Sequence, residues 1–212
     1  MNLKLPQTRI YRKIIRRLFV PAIVLVVIAI PTVPALAVTY GDGTYGSCQY
    51  NACSITITSD GTVSVNVVPT SSGACTIQND TVSVLTDDSG GYLLQVANSS
   101  TNTGLLNGSH TITSSSASQS SPSALVANTW GYRVDGVGGF GAGPTSAQSN
   151  TSLNSTLFAQ VPPSNGTPDT IANTSVPADP AVDTSVWYSV CADTSVSSGT
   201  YSTQVTYTAV AN

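Results

Sequence analysis

The sequence predicts an all-β fold: an antiparallel Ig-like or Greek-key β-sandwich preceded by an N-terminal signal helix. Three observations predict it. Short runs alternate apolar and polar residues with period two, the pattern of strands with one buried face. Turn signals separate those runs, "SDG" at 59–61, "TSSG" at 70–73, "DDSGG" at 87–91 and "SSG" at 197–199. No helical period follows residue 37, and about nine short strands with regular turns fit two packed antiparallel sheets.

At the N-terminus a basic stretch, "KLPQTRIYRKIIRR", leads into the apolar run "LFVPAIVLVVIAI" and the small-residue exit "PALA". That order is the mark of an export signal, and cleavage is expected after Ala37. An apolar run of about 13 residues suits a signal core and falls short of the ~20 a permanent span needs. The alternative is an uncleaved anchor, extended through Ala22 and Pro31 to Ala37. The expected organisation is a signal peptide over 1–37 and one β-sandwich domain over 38–212, extracellular or held at the cell surface.

Expected strands follow in order: "SITIT" (54–58), "TVSVNVV" (62–68), "DTVSVLT" (80–86), "GYLLQVAN" (91–98), "HTIT" (110–113), "TWGYRV" (129–134), "TLFAQV" (156–161), "SVWYSVCA" (185–192) and "GTYSTQVTYTAVA" (199–211). The last sets Tyr201, Thr203, Val205, Tyr207 and Ala209 on one face. "SVWYSVCA" is apolar on both faces, as a strand covered on both sides should be. Serine-rich 107–128 reads as a solvated connection, and the Pro-studded segment 161–180 cannot form a central strand.

Beyond the signal the chain carries ten Asp, one Arg, no Lys and no Glu, a formal charge of −9. Phosphate binding rests on clusters of Lys and Arg, so nucleic acid is excluded as an expected partner, and an anionic membrane surface with it. The missing lysines also exclude Lys–Asn isopeptide cross-links. No LPxTG signal stands near the C-terminus and Val38, not cysteine, follows the expected cleavage site, so surface retention should be noncovalent. Seven Asn-x-Ser/Thr sequons occur, a number that the Asn, Ser and Thr content supplies by chance.

Four cysteines in an exported chain predict two disulfides. Three connectivities are open, and the closeness of "CQYNAC" favours Cys48 with Cys53, leaving Cys75 for Cys191. Cys191 shares a strand face with Trp187, so a tryptophan against a core disulfide is expected. A zinc site is the alternative, against which stands the lack of a CxxC pair.

Catalytic chemistry finds little footing. The single histidine, His110, stands without a GxSxG elbow. Asp87 and Asp88 are adjacent and point apart, unlike the facing carboxylates of a glycosidase. Neither a cofactor nor a metal site is expected. Calcium is the open exception, at "TDDSGG", around Asp42, or at Asp179 and Asp183, none of which matches the DxDxDG loop.

The oddest stretch is "NTWGYRVDGVGGFGAG" (128–143), which holds the one arginine outside the signal. Strand alternation puts Trp130, Tyr132 and Val134 on one face and Gly131, Arg133 and Asp135 on the other. On one reading Arg133 pairs with Asp135 and its stem covers apolar surface. On the other, Trp130, Tyr132, Arg133, Asp135 and Phe140 form a ligand-binding platform for a glycan or a peptide carboxylate beside a glycine loop.

The terminal "GTYSTQVTYTA", with "ANTWGYRV" and "GYLLQVANSSTNTGLLNGSHTI", resembles secreted bacterial surface proteins, and among named families the WxL cell-wall-binding domain. The match is partial: the Trp-x-Leu motif falls on Trp130-Gly131-Tyr132, and Tyr207 stands where the family has a terminal tryptophan. The resemblance implies an Ig-like fold and binding to peptidoglycan. The expected function is therefore a noncatalytic exported protein that binds cell-wall glycan or a surface partner. The alternative is a structural subunit of a surface fibre or layer that self-associates through strand edges, and a secreted hydrolase is the weakest reading.

Overall fold

The computed structural model describes residues 53–152 and 155–212, together with the backbone of two short paired strands, β1 (Thr44–Tyr45) and β2 (Cys48–Gln49). The expected signal peptide and Asp42 lie outside these residues. The described chain is all-β. Its strands are β3 (Ile55–Ser59), β4 (Ala74–Thr86), β5 (Tyr92–Asn98), β6 (Leu105–Asn107), β7 (His110–Ser114), β8 (Ser123–Ala124), β9 (Thr129–Val134), β10 (Gln148–Thr151), β11 (Leu157–Phe158), β12 (Asp169–Asn173), β13 (Ala178–Ala192) and β14 (Val205–Ala211).

The larger sheet runs β10-β4-β13-β9-β7-β6, with β3 also hydrogen-bonded to β4, and a three-stranded sheet runs β12-β5-β14. Pairing is antiparallel except between β7 and β9, which run parallel at Thr113↔Thr129 and Ser114↔Trp130. Alternation places Val82 and Val84 of β4, Trp130, Tyr132 and Val134 of β9, and Val186 and Tyr188 of β13 in one core with Tyr92, Leu94 and Val96 of β5. This core joins the two sheets, and each strand supplies every second residue to it because successive side chains leave a strand on opposite faces.

The out-of-phase residues build a second, smaller cluster of Ile77, Phe158 and Trp187, with Cys75 and Leu125 packed against it. The short β8–β11 pair contributes Phe158 and, just beyond β8, Leu125. Between residues 186 and 192 β13 is therefore buried on both faces, as its doubly apolar sequence predicts. Gly131 makes this layer fit. A Cβ there would stand 2.7 Å from the Ala159 carbonyl oxygen, and across that approach Tyr132 and Ala159 exchange two backbone hydrogen bonds of 2.9 Å.

Cys75 and Cys191 are joined, and they sit opposite each other in the β4–β13 register. The bridge links neighbouring strands of one sheet and lies beside Trp187 through Cys75. Cys53 is disulfide-bonded as well, while the side chain of its expected partner, Cys48, lies outside the described residues.

The observed strands depart from the sequence reading in several places: β4 and β13 begin earlier, at Ala74 and Ala178, the last strand begins later, at Val205, and β6, β8 and β10 stand where no strand is expected. "TVSVNVV" (62–68) forms no strand, although Val63, Val65 and Val67 do turn half-buried toward the protein. Its slot on β4 is taken: β3 pairs with residues 82–86 and β10 with Cys75 and Ile77. "TLFAQV" keeps only Leu157–Phe158 as β11. The Pro-studded segment yields β12, an end strand of the small sheet, and its Pro180 enters β13 where the register shifts between Ala178 and Val182, a bulged position that tolerates proline.

Candidate functional site

β9 positions three of the five expected site residues, Trp130, Tyr132 and Arg133, through its alternation, and the glycine-rich loop that follows it positions Asp135 and Phe140. On the reverse face Arg133 lies opposite Trp187 in the register and is 2% exposed. Its Nη1 donates to the Leu157 carbonyl at 3.3 Å, and its Nη2 donates to Asp135 Oδ1, Phe140 O and Gly141 O, each at 3.2 Å. The guanidinium carbon also stands 5.9 Å from the centre of the Phe140 ring. Burial pulls the guanidinium pKa down and Asp135 opposes the shift. An arginine stays charged under such a shift, so the single cation of the described residues serves as a clasp. It ties the 135–141 loop and β11 to the sheet.

On the core face Tyr132 is fully buried, and its hydroxyl donates to Asp169 Oδ2 at 2.6 Å. Gln119 Nε2 donates to that hydroxyl at 3.3 Å and to the Thr170 carbonyl at 2.8 Å. The Tyr132 ring meets Phe140 edge-on, centroids 5.5 Å apart. Burial and then the Asp169 carboxylate push the tyrosine hydroxyl far above its ordinary range. Burial raises Asp169 too, against the hydrogen bond it accepts from Tyr132.

Trp130 is 3% exposed and its indole Nε1 donates to the Thr103 carbonyl at 2.9 Å. Its ring lies 6.4 Å from that of Tyr188, whose hydroxyl bonds the Tyr207 hydroxyl at 2.6 Å. Tyr207 in turn hydrogen-bonds Asp80, which also accepts the Asp60 amide at 3.0 Å. With Tyr207 donating to the carboxylate, Tyr188 donates to Tyr207. Both hydroxyls are driven up, chiefly by burial, and burial raises Asp80.

The five residues thus come together, but as interior. Trp130, Tyr132, Arg133 and Phe140 are buried, and only the Asp135 side chain, 40% exposed, reaches solvent. No aromatic face is offered to a ligand at this place. The two positions that carry the WxL likeness, Trp130 and Tyr207, both meet Tyr188 in the core.

Sequence reading missed two carboxylates that meet the interior, the buried Asp80 and the half-buried Asp169. Asp80 had a signal, since it shares the phase of Val82 and Val84 in an alternating strand, and a carboxylate on a core phase needs partners. Asp169 had none, because it sits in a segment without period. The remaining candidates stay apart. His110 is exposed, its ring bonds Ser197 at 3.3 Å, and no carboxylate among the described residues joins that pair. Asp87 accepts the Ser54 amide and Asp183 the Ser83 hydroxyl. Among the described residues no three His, Cys, Asp or Glu side chains gather as a metal site would require.

Sheet edge is the remaining candidate. β14 pairs with β5 along all seven of its residues and ends its sheet. It contains neither charge nor proline, and its Val210 is 50% exposed. Natural sheets blunt such edges with lysine, proline or bulges, and the chain beyond residue 37 has no lysine to use. The comparisons with known proteins add no relative: no family model, no curated protein and no solved structure matches the chain.

Proposed function

We propose that this chain is a noncatalytic, exported β-sandwich of Ig-like or Greek-key type that works at the cell surface as a structural subunit, assembling through strand edges. The observation that carries the reading is β14, a regular seven-residue strand at a sheet end with no charge along it. An edge of that kind is a template for another strand. The burial of Trp130, Tyr132, Arg133 and Phe140 adds support by elimination, since the platform on which glycan recognition was to rest faces inward.

The test is sedimentation velocity of the full chain, purified as its host processes it, from dilute to concentrated solution. Growth of species larger than a monomer with concentration is the expected result. A strictly monomeric protein at every concentration defeats the proposal. Cell-wall binding, supported by the WxL likeness, is the rival, and co-sedimentation with washed sacculi at both low and high salt would decide for it.

A further inference from the structure

Along Thr62–Val68, Val63, Val65 and Val67 are half-buried while Thr62, Ser64, Asn66 and Val68 are exposed. That is the burial pattern of a strand, yet among the described residues none of these seven makes a backbone–backbone hydrogen bond. Only two tethers hold the backbone: the Asn66 carbonyl accepts the Thr76 hydroxyl at 2.9 Å, and the Val68 amide donates to Asn150 Oδ1 at 2.6 Å. Just upstream, the Asp60 amide is drawn to the Asp80 carboxylate, and beyond that point β10 takes the edge of β4. The segment is left with the side-chain order of a strand and the unpaired peptide groups of a loop.

We infer that Thr62–Val68 is completed by the same segment of a second copy of this chain, the two pairing antiparallel about a two-fold axis at Val65. The inference rests on the assembly reading above and names one of its contacts. The sequence itself selects the partner. Turned antiparallel on itself about Val65, the segment sets Val63 against Val67, Ser64 against Asn66 and Val65 against its copy. The inward valines therefore meet valines, and such facing pairs are the unit of sheet stabilisation. A two-fold contact requires this self-complementarity.

Charge points the same way. No charged residue occurs between Asp60 and Asp80, so this stretch can approach its own copy without like-charge repulsion, which an acidic chain meets elsewhere on its surface. In the proposed register Asp60 falls opposite Thr70, and the two copies of Asp60 are kept apart.

Two variants and their mixture test it, each prepared as the full chain processed by its host and followed by sedimentation velocity, with circular dichroism to verify the fold. Val65→Lys places two ammonium groups opposite each other at the axis, and Val65→Asp places two carboxylates there. Each variant alone should form smaller concentration-dependent species than wild type, lacking the share of association that the 62–68 contact supplies, and the equimolar mixture should regain the wild-type distribution through Lys–Asp pairing. Wild-type association unchanged by either variant overturns this inference and leaves the assembly reading standing. Loss in both variants without recovery on mixing also overturns it, because the two-fold register demands the rescue. A monomeric wild type removes both.

Discussion

Replacing Arg133 by methionine tests whether the lone cation is a structural clasp. The substitution deletes four hydrogen bonds, three to backbone carbonyls and one to Asp135. Among them only the bond to Phe140 O is fully buried, and a stranded buried acceptor costs about 1–3 kcal/mol. The Leu157 and Gly141 carbonyls are partly accessible and can take up water, so each adds a fraction of that. Asp135, being well exposed, stays solvated. Against these losses, the desolvation of the guanidinium is no longer incurred and the methionine stem keeps contact with apolar surface. The net expectation is a loss of about 2–3 kcal/mol, or a fall in Tm of about 5–10 °C for a chain of this size. Urea and thermal unfolding at neutral pH measure it. Arg133→Lys should restore only part of the loss, since one ammonium cannot reach acceptors spread over three carbonyls. A methionine variant within about 0.5 kcal/mol of wild type, the scatter of an ordinary surface change, would refute the clasp.

Three further outcomes follow from the interior. Burial raises Asp80 and Asp169 above 3.8, so the folded state holds these protons more tightly than the unfolded one. Their stabilising contribution is full below the unfolded value of about 3.9 and is lost as pH rises through their raised folded values. Acidifying from neutral toward pH 4 should therefore strengthen the fold at these sites, and Asp80→Asn should flatten that gain; an unchanged stability–pH curve in the variant would contradict the assignment. Removing the Cys75–Cys191 bridge by a double alanine substitution frees a loop spanning a sequence separation of 116, worth roughly 5 kcal/mol in the chain-entropy model; a urea-unfolding loss below about 1 kcal/mol would reject that account. Gly91→Ala should destabilise markedly, because φ is +80° and a Cβ would stand 2.3 Å from the Thr174 carbonyl oxygen; a thermal melt matching wild type would show that the Gly91–Thr174 approach relaxes freely.

Local pattern already determined a good part of this protein. Alternation located β9 at 129–134, the core face of β5, and a β13 buried on both sides, because period two states which residues share a face. Cysteine spacing paired Cys75 with Cys191, and the phase of β9 put Arg133 beside Asp135. Only the tertiary structure decided which alternating segment joins the sheet. Residues 62–68 carry a cleaner strand pattern than Gln148–Thr151, yet β10 holds the edge of β4. Period two says nothing about neighbours, and a place on a sheet edge admits one occupant, settled by contacts distant in sequence. Burial of the arginine was decided by folding as well, part of it local and part of it nonlocal. The adjoining loop 135–141 turns back over Arg133 and β11 closes over it from farther along the chain, and so, of the two sequence readings of Arg133, the structure shows the pair with Asp135 and places the aromatic platform in the interior.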